Sequence, residues 1–264
     1  MSNPSTRVEG GNAHSLPDLL AASPGLPLVA DVSPGWHQGR TIYGGLSAAL
    51  ALAAALRVAP DLPQLRSAQI AFAGPLAGRI EATPTLLRRG KNTAFIACDV
   101  CGETGLGVRT MFLFGSARPS VVAWSDLPVP TVEEPAARPA PPGMPTFIGQ
   151  FDGGTAGSDR TPSGFRRWAR LKGREGLHPA VELLCIGDVL PPAAMRLAEI
   201  SGPISTTTWQ INLLVDEPRT DDGWWLLETR TLAAEGGTSS QAMCIWNRSG
   251  EAVATGTQSV AMFY

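Results

Sequence analysis

From Thr41 to Val58 the chain reads TIYGGLSAALALAAALRV, apolar on almost every side and built from small residues. Ala and Leu favour helix, Arg57 suits a helix C-terminus, and Pro60 stops the run. This pattern predicts one buried helix that a sheet can approach closely. The pattern then changes to alternation, predicting strands at about 67–74, 79–88, 92–101 and 105–115. Turn residues separate them: Pro75 and Gly78, Gly90 to Asn92, and Gly102 to Gly105. Pro84 falls inside the second strand and marks an edge or a bulge there.

Between Arg118 and Pro145 periodicity disappears and eight prolines accumulate, which predicts an extended linker draped over the surface. Alternation resumes at Phe165–Leu171, where cationic and apolar residues interleave as in a strand. A second helix starts at Pro179 and ends near Leu190, before Pro191 and Pro192. Further strands are expected at 204–215, 223–234, 238–247 and 251–263, the last two joined by Arg248-Ser249-Gly250.

The order helix, then strands, thus occurs twice, and some of the wording recurs. Gln69-Ile-Ala-Phe-Ala-Gly-Pro75 returns 141 residues later as Gln210-Ile-Asn-Leu-Leu-Val-Asp-Glu-Pro218. Further on, Arg88–Ala97 aligns with Ala234–Met243. The chain divides into an N-terminal tail (1–22), a first unit (23–118), a Pro-rich linker (119–160) and a second unit (161–264). The class is α+β, each antiparallel sheet packing on its own helix and the two sheets able to pair edge to edge.

Composition narrows the function. Hydrophobic residues make up 44% of the 264 and charged residues 17%, as in a globular protein. A net charge of −2 argues against a nucleic-acid partner, which requires excess cations. Met1–Pro17 lacks a signal-like apolar core, and Leu46–Leu56 is too short to span a bilayer. A cytoplasmic location without membrane insertion is expected. Cys98 and Cys101 have C-x-x-C spacing but no second pair or nearby His, so reduced strand cysteines are expected and no metal site. No dinucleotide, P-loop or nucleophile-elbow motif occurs, and no cofactor is expected.

A duplicated chain can keep its chemistry in one copy, so the polar residues that differ between copies carry the information. Val181, Leu184, Cys185 and Asp188 share one helix face, which puts a carboxylate among apolar residues. The corresponding face of the first helix is Gly45, Ala48, Ala49 and Leu52. Alternatively, Asp188 only closes the helix end before Pro191. In Ile204-Ser-Thr-Thr-Thr-Trp-Gln210, alternation puts Thr206, Thr208 and Gln210 on one face and Thr207 and Trp209 on the other. The first copy has Leu65, Arg66 and Ser67 in that stretch. Gln258 shares a face with Ala254, Val260 and Met262, so its amide is expected to be buried and bonded. His37, in a Gly-rich loop ahead of the first helix, suits either a pocket wall or a solvated position, and the solvated one is favoured. The cations Arg166, Arg167, Arg170, Lys172 and Arg174 suit either phosphate binding or a solvated face. Of Trp224 and Trp225, one is expected at an interface or pocket rim.

An apolar helix carrying one Asp, then I-S-T-T-T-W, then a last strand with G-T-Q-S-V, resembles the TesB-like acyl-CoA thioesterases (the acyl-CoA thioesterase II family). The likeness extends to Tyr43-Gly-Gly45 and Trp168-Ala-Arg170. It implies a double hot-dog fold, in which each unit wraps a sheet around a central helix. It also implies an acyl-CoA substrate, a place in lipid metabolism, and a water oriented by Asp188, Thr206 and Gln258. Tyr43, Gly44 and Gly45 are the implied substrate contacts. Family members often carry an acidic residue two positions after the threonine, where this chain has Thr208, which leaves Thr206 and Thr207 both open as the site threonine. A non-catalytic acyl-binding double hot-dog module is the alternative, since one scaffold serves several functions. A homo-oligomer is compatible with either.

Overall fold

Ser15 opens helix α1 (Leu16–Ala21) with a capping box closed by Asp18. The Ala- and Leu-rich run then forms α2 (Gly44–Leu56), buried from Gly45 to Ala55 because no side of it carries a polar stripe. In the second half α3 (Pro179–Gly187) starts with Pro at its first position, and the His178 ring accepts the Ala180 N–H at 3.2 Å. The computed structural model describes residues 14–131, 133–161, 163–198 and 202–264. No helix among the described residues is long and apolar enough to cross a membrane.

The strands are β1 (Leu28–Val32), β2 (His37–Gln38), β3 (Thr41–Ile42), β4 (Leu65–Phe72), β5 (Gly78–Arg89), β6 (Thr93–Gly102) and β7 (Gly105–Gly115) in the first half. The second half has β8 (Ala136–Arg138), β9 (Phe151–Thr161), β10 (Gly164–Leu171), β11 (Ile204–Leu213), β12 (Trp224–Glu235), β13 (Thr238–Trp246) and β14 (Ala252–Met262). β2 and β3 form a small hairpin ahead of α2, and the other twelve make one antiparallel sheet in the order β1-β5-β6-β7-β4-β11-β14-β13-β12-β10-β9-β8. The two units meet at β4 and β11, where each edge covers the other.

Register at that seam reflects the duplication. Gln210 lies opposite Gln69, the two residues that the repeat equates, so a local two-fold relation passes between them. Following the ladders outward pairs the copies residue by residue. Ala68, Phe112, Ile96 and Leu86 form one cross-strand row in the first copy. Trp209, Gln258, Gln241 and Thr231 form the matching row in the second. The bulges match as well: one between Leu65 and Ser67 answers one between Thr206 and Thr208. Those between Leu86 and Arg88 and between Thr231 and Ala233 correspond likewise.

Both central helices lie in one continuous core, which includes Leu50, Phe112, Ile186 and Trp225. A smaller cluster of Trp168, Trp224, Leu226 and Trp246 packs on the opposite face of the second unit, partly covered by Leu127 of the Pro-rich segment. Trp224 and Trp225 are therefore both buried, one on each face, and neither is a pocket rim. Pro84 sits just past the last β1–β5 pair, Leu28 with Ala82, where β5 is locally an edge that needs no N–H.

Several elements were not expected from pattern. The segment 1–22 includes α1, and the span 119–160 includes β8 and nearly all of β9. β9 reads FDGGTAGSDRT, with no apolar alternation, and is held as a strand by backbone pairing to β10 rather than by side-chain pattern. The helix expected to reach Leu190 stops at Gly187, with Asp188 as its C-cap.

Candidate active site

Gly187 brings the end of α3 against the Trp209 ring, since a Cβ there would lie 2.9 Å from it. The next residue, Asp188, turns its carboxylate towards the start of α2 and the inner face of the sheet. Its Oδ1 accepts the Gln258 Nε2–H at 2.6 Å, and the Gly45 N–H bonds the same carboxylate. The carboxylate is thus held by a side-chain amide from β14 and by the positive end of α2. Burial nonetheless dominates and pushes the Asp188 carboxyl up to about 7, the Gln258 and Gly45 donors only partly opposing this. Asp188 closes the helix, but its side chain bonds across the core and not into the turn before Pro191.

The carboxylate borders a cavity of about 280 Å³ that is also lined by Gly44, Ser47, Phe72, Val108 and Thr206. Gly44 is required by the packing: a Cβ there would fall 2.6 Å from Asp188 Oδ2 and 2.9 Å from the Phe72 ring. Gly44→Ala is expected to lower kcat roughly ten-fold or more by displacing the carboxylate. Helix stability should not suffer, because Ala is the better helix former. Thioester turnover and thermal melting measured together check this; unchanged kcat would remove Gly44 from the site.

Thr206 reaches the cavity through the bulge. Thr206 pairs with Val260 and Thr208 with Ser259, which leaves Thr207 as the extra residue. That insertion reverses the alternation, so Thr206 shares the inner side with buried Trp209 and Ile211 while Thr208 and Gln210 face out. The simple alternation that grouped Thr206 with Thr208 is corrected accordingly. Thr207 is exposed, and its hydroxyl donates to the Ser259 carbonyl at 3.0 Å.

Gln258 is buried, with 4% exposure. Its Oε1 accepts the Gln241 Nε2–H at 2.5 Å, and Gln241 Oε1 accepts the Ala193 N–H at 2.9 Å. Gln241 was not singled out from the sequence. The aligned hairpins set Ile96 against Ala242, whereas the ladder rows set it against Gln241. That one-residue slip hides a substitution of amide for aliphatic at a buried position. Corrected rows show a wider asymmetry: Thr206, Ser239, Gln241 and Gln258 stand where the first copy has Leu65, Ala94, Ile96 and Phe112.

Other residues sit elsewhere. Tyr43 is fully enclosed, stacked on Phe147 at 4.1 Å, and its hydroxyl donates to the Cys185 carbonyl at 2.8 Å. It holds α2 to α3 and does not line the cavity. Gly45 is buried between the helices and meets Asp188 through its N–H, whereas Gly44 alone of the three borders the cavity. Arg166 pairs with Glu228, Arg170 with Asp152, and Arg174 lies 3.6 Å from Glu182. Arg166 and Arg170 also lie over Trp246 and Trp224, so these cations are engaged away from the cavity. His37 has a buried Nε2 and is not the solvated side chain expected. Cys98 is buried on β6, where its thiol is pushed up to about 12.

A twelve-stranded antiparallel sheet wound on two central helices, with a buried carboxylate at their junction, defines a double hot-dog protein. Comparison with known proteins agrees. Residues 32–115 match the family model described as the acyl-CoA thioesterase N-terminal domain, and residues 126–262 match the acyl-CoA thioesterase C-terminal domain. The chain belongs to this acyl-CoA thioesterase family and is a thioesterase.

A hot-dog protein of unknown function from Alicyclobacillus acidocaldarius is similar in structure, with a TM-score of 0.78 at 20% identity, covering 89% of this chain and 92% of that one. The tesB protein of Mycobacterium avium subs paratuberculosis gives a TM-score of 0.74 at 19% identity over 95% and 100% of the two chains. An acyl-CoA thioesterase II from Mycobacterium marinum gives 0.65 at 17% identity over 85% and 90%. No curated protein matches.

Proposed function

We propose that the chain hydrolyses acyl-CoA thioesters to the free acid and coenzyme A with a water held by Asp188, Thr206 and Gln258. The observation that carries the proposal is the Asp188–Gln258 bond at the wall of the cavity beside the α2 N-terminus. Asp188 accepts the proton as water attacks the thioester carbonyl carbon. The second N–H of the Gln258 amide and the Thr206 hydroxyl orient the water, a contribution of position more than of charge. The tetrahedral oxyanion meets backbone N–H groups of the first turn of α2, where the helix dipole favours negative charge. Collapse then breaks the C–S bond and releases the coenzyme A thiolate.

A base whose carboxyl is pushed up to about 7 is protonated, and inactive, at lower pH. We expect kcat/KM to rise with unit slope through mildly acidic pH and to level off above about 7. The check is thiol release from acyl-CoA esters of several chain lengths between pH 5 and 9. A profile flat down to pH 5, or binding without turnover of every ester, would remove Asp188 from the role of base.

A further inference from the structure

We infer that Gln241 is a positioning residue that fixes which end of the Gln258 amide faces Asp188, an inference that rests on the proposed role of the Asp188–Gln258 pair. A glutamine amide has a donor end and an acceptor end of nearly the same shape, so a buried one can sit either way round. Only one orientation suits a base: N–H towards the carboxylate. The reverse sets a carbonyl oxygen against it, which favours the protonated acid and leaves no donor for the attacking water.

The structure contains a device that removes the ambiguity. Ala193, the first residue of the short 3-10 turn Ala193–Leu197, presents a backbone N–H, which can donate but never accept. It therefore takes the oxygen of Gln241, at 2.9 Å. Gln241 must then offer its NH2, which takes the oxygen of Gln258 at 2.5 Å. Gln258 in turn must offer its NH2, which reaches Asp188 Oδ1 at 2.6 Å. A donor-only group at one end and a carboxylate at the other demand the same polarity, so the sequence of bonds is consistent with the ionised base.

Both amides are shielded from water, with Gln241 1% exposed and Gln258 4%, so solvent does not substitute for a missing partner. They lie directly opposite each other on β13 and β14. In the first copy the same two places hold Ile96 and Phe112, so the fold itself does not require an amide there. Gln241 bonds Gln258 and the Ala193 N–H, and Gln258 in turn bonds Asp188, so the effect of Gln241 on the reaction passes through Gln258.

A double-mutant cycle with an acyl-CoA substrate tests this, using Gln241→Met, Gln258→Ala and the pair. Gln241→Met should lower kcat on the order of ten-fold with KM within about two-fold, a loss of orientation more than of binding. The acidic limb of its pH profile should move to higher pH, because a Gln258 carbonyl facing Asp188 stabilises the protonated acid. In the Gln258→Ala background the same substitution should change kcat by less than about two-fold, since the group it acts through is gone. Equal losses in both backgrounds, or an unmoved acidic limb, would overturn the inference.

If Gln258→Ala alone leaves kcat intact, the proposed water-holding role of Gln258 fails first, and Gln241 fails with it. Should Gln241→Met not fold, Gln241→Glu serves. Its oxygen still accepts the Ala193 N–H, but once ionised it draws the Gln258 NH2 away from Asp188. The profile should then gain a falling limb at higher pH where wild type is level, and the absence of that limb would count against the inference.

Discussion

Asp188→Asn should reduce kcat by about 10²- to 10⁴-fold, the range associated with a general base, while leaving KM close to wild type. The substitution keeps the shape, and an Asn oxygen can still accept the Gln258 N–H that now reaches Asp188 at 2.6 Å. What disappears is the ability to take a proton. A loss of activity by misfolding is separable, because the same change has a predictable effect on stability. The folded carboxyl lies at about 7 instead of its ordinary 3.8, raised mainly by burial. The folded chain therefore binds this proton more tightly than the unfolded chain does. Between those two values, raising the pH removes stability from wild type, by up to about 1.4 kcal/mol per pH unit, and above about 7 the loss is complete. Asn carries no such penalty. The melting temperature of Asp188→Asn relative to wild type should climb from pH 4 to 7 and then stay level. An inactive variant that gains stability with pH identifies a functional residue held at a cost. A variant that retains activity would remove Asp188 from the chemistry.

That cost explains part of what the sequence made legible. A carboxylate on an otherwise apolar helix face is an inconsistency between local pattern and burial, and such inconsistencies gather at functional sites. Asp188, Thr206 and Gln258 all lie on or beside the inner face of the second unit, where the first copy is apolar. The two central helices and the eight strands after them are likewise readable, because each has its own period and turn residues. The misses around the second unit have one of two physical origins. β9 and β8 carry no hydrophobic alternation, since backbone pairing to a neighbour holds them. The bulge at Thr207 shifts parity in mid-strand without any unusual residue, so alternation counted from Trp209 puts Thr206 on the wrong face. Gln241 was obscured for a related reason: a hairpin aligned one residue out of register exchanges inner and outer faces.

Gly45→Ala should be among the most damaging small substitutions, lowering the melting temperature by on the order of 5–10 °C and activity with it. Composition alone suggests the opposite, because Ala in place of Gly inside a helix ordinarily adds stability. The packing decides otherwise. A Cβ on Gly45 would press on the Cys185 carbonyl oxygen of α3 and lie 2.5 Å from the Tyr43 hydroxyl. These are the two partners of the bond, 2.8 Å long, that joins the helices. Neither is the free end of a flexible side chain. The Cys185 oxygen belongs to backbone, and the Tyr43 ring is held by Phe147 and Phe151. Relief therefore requires α2 and α3 to separate, and separation pulls the Gly45 N–H from the Asp188 carboxylate. Loss of that donor leaves burial less opposed, so whatever activity survives should show its acidic limb at higher pH than wild type. Gly25→Ala, where an added Cβ meets nothing within 4 Å, is the matched control and should melt as wild type does. Equal melting temperatures for the two variants would mean that the helices do not depend on this contact, and an unshifted limb would detach Gly45 from the base.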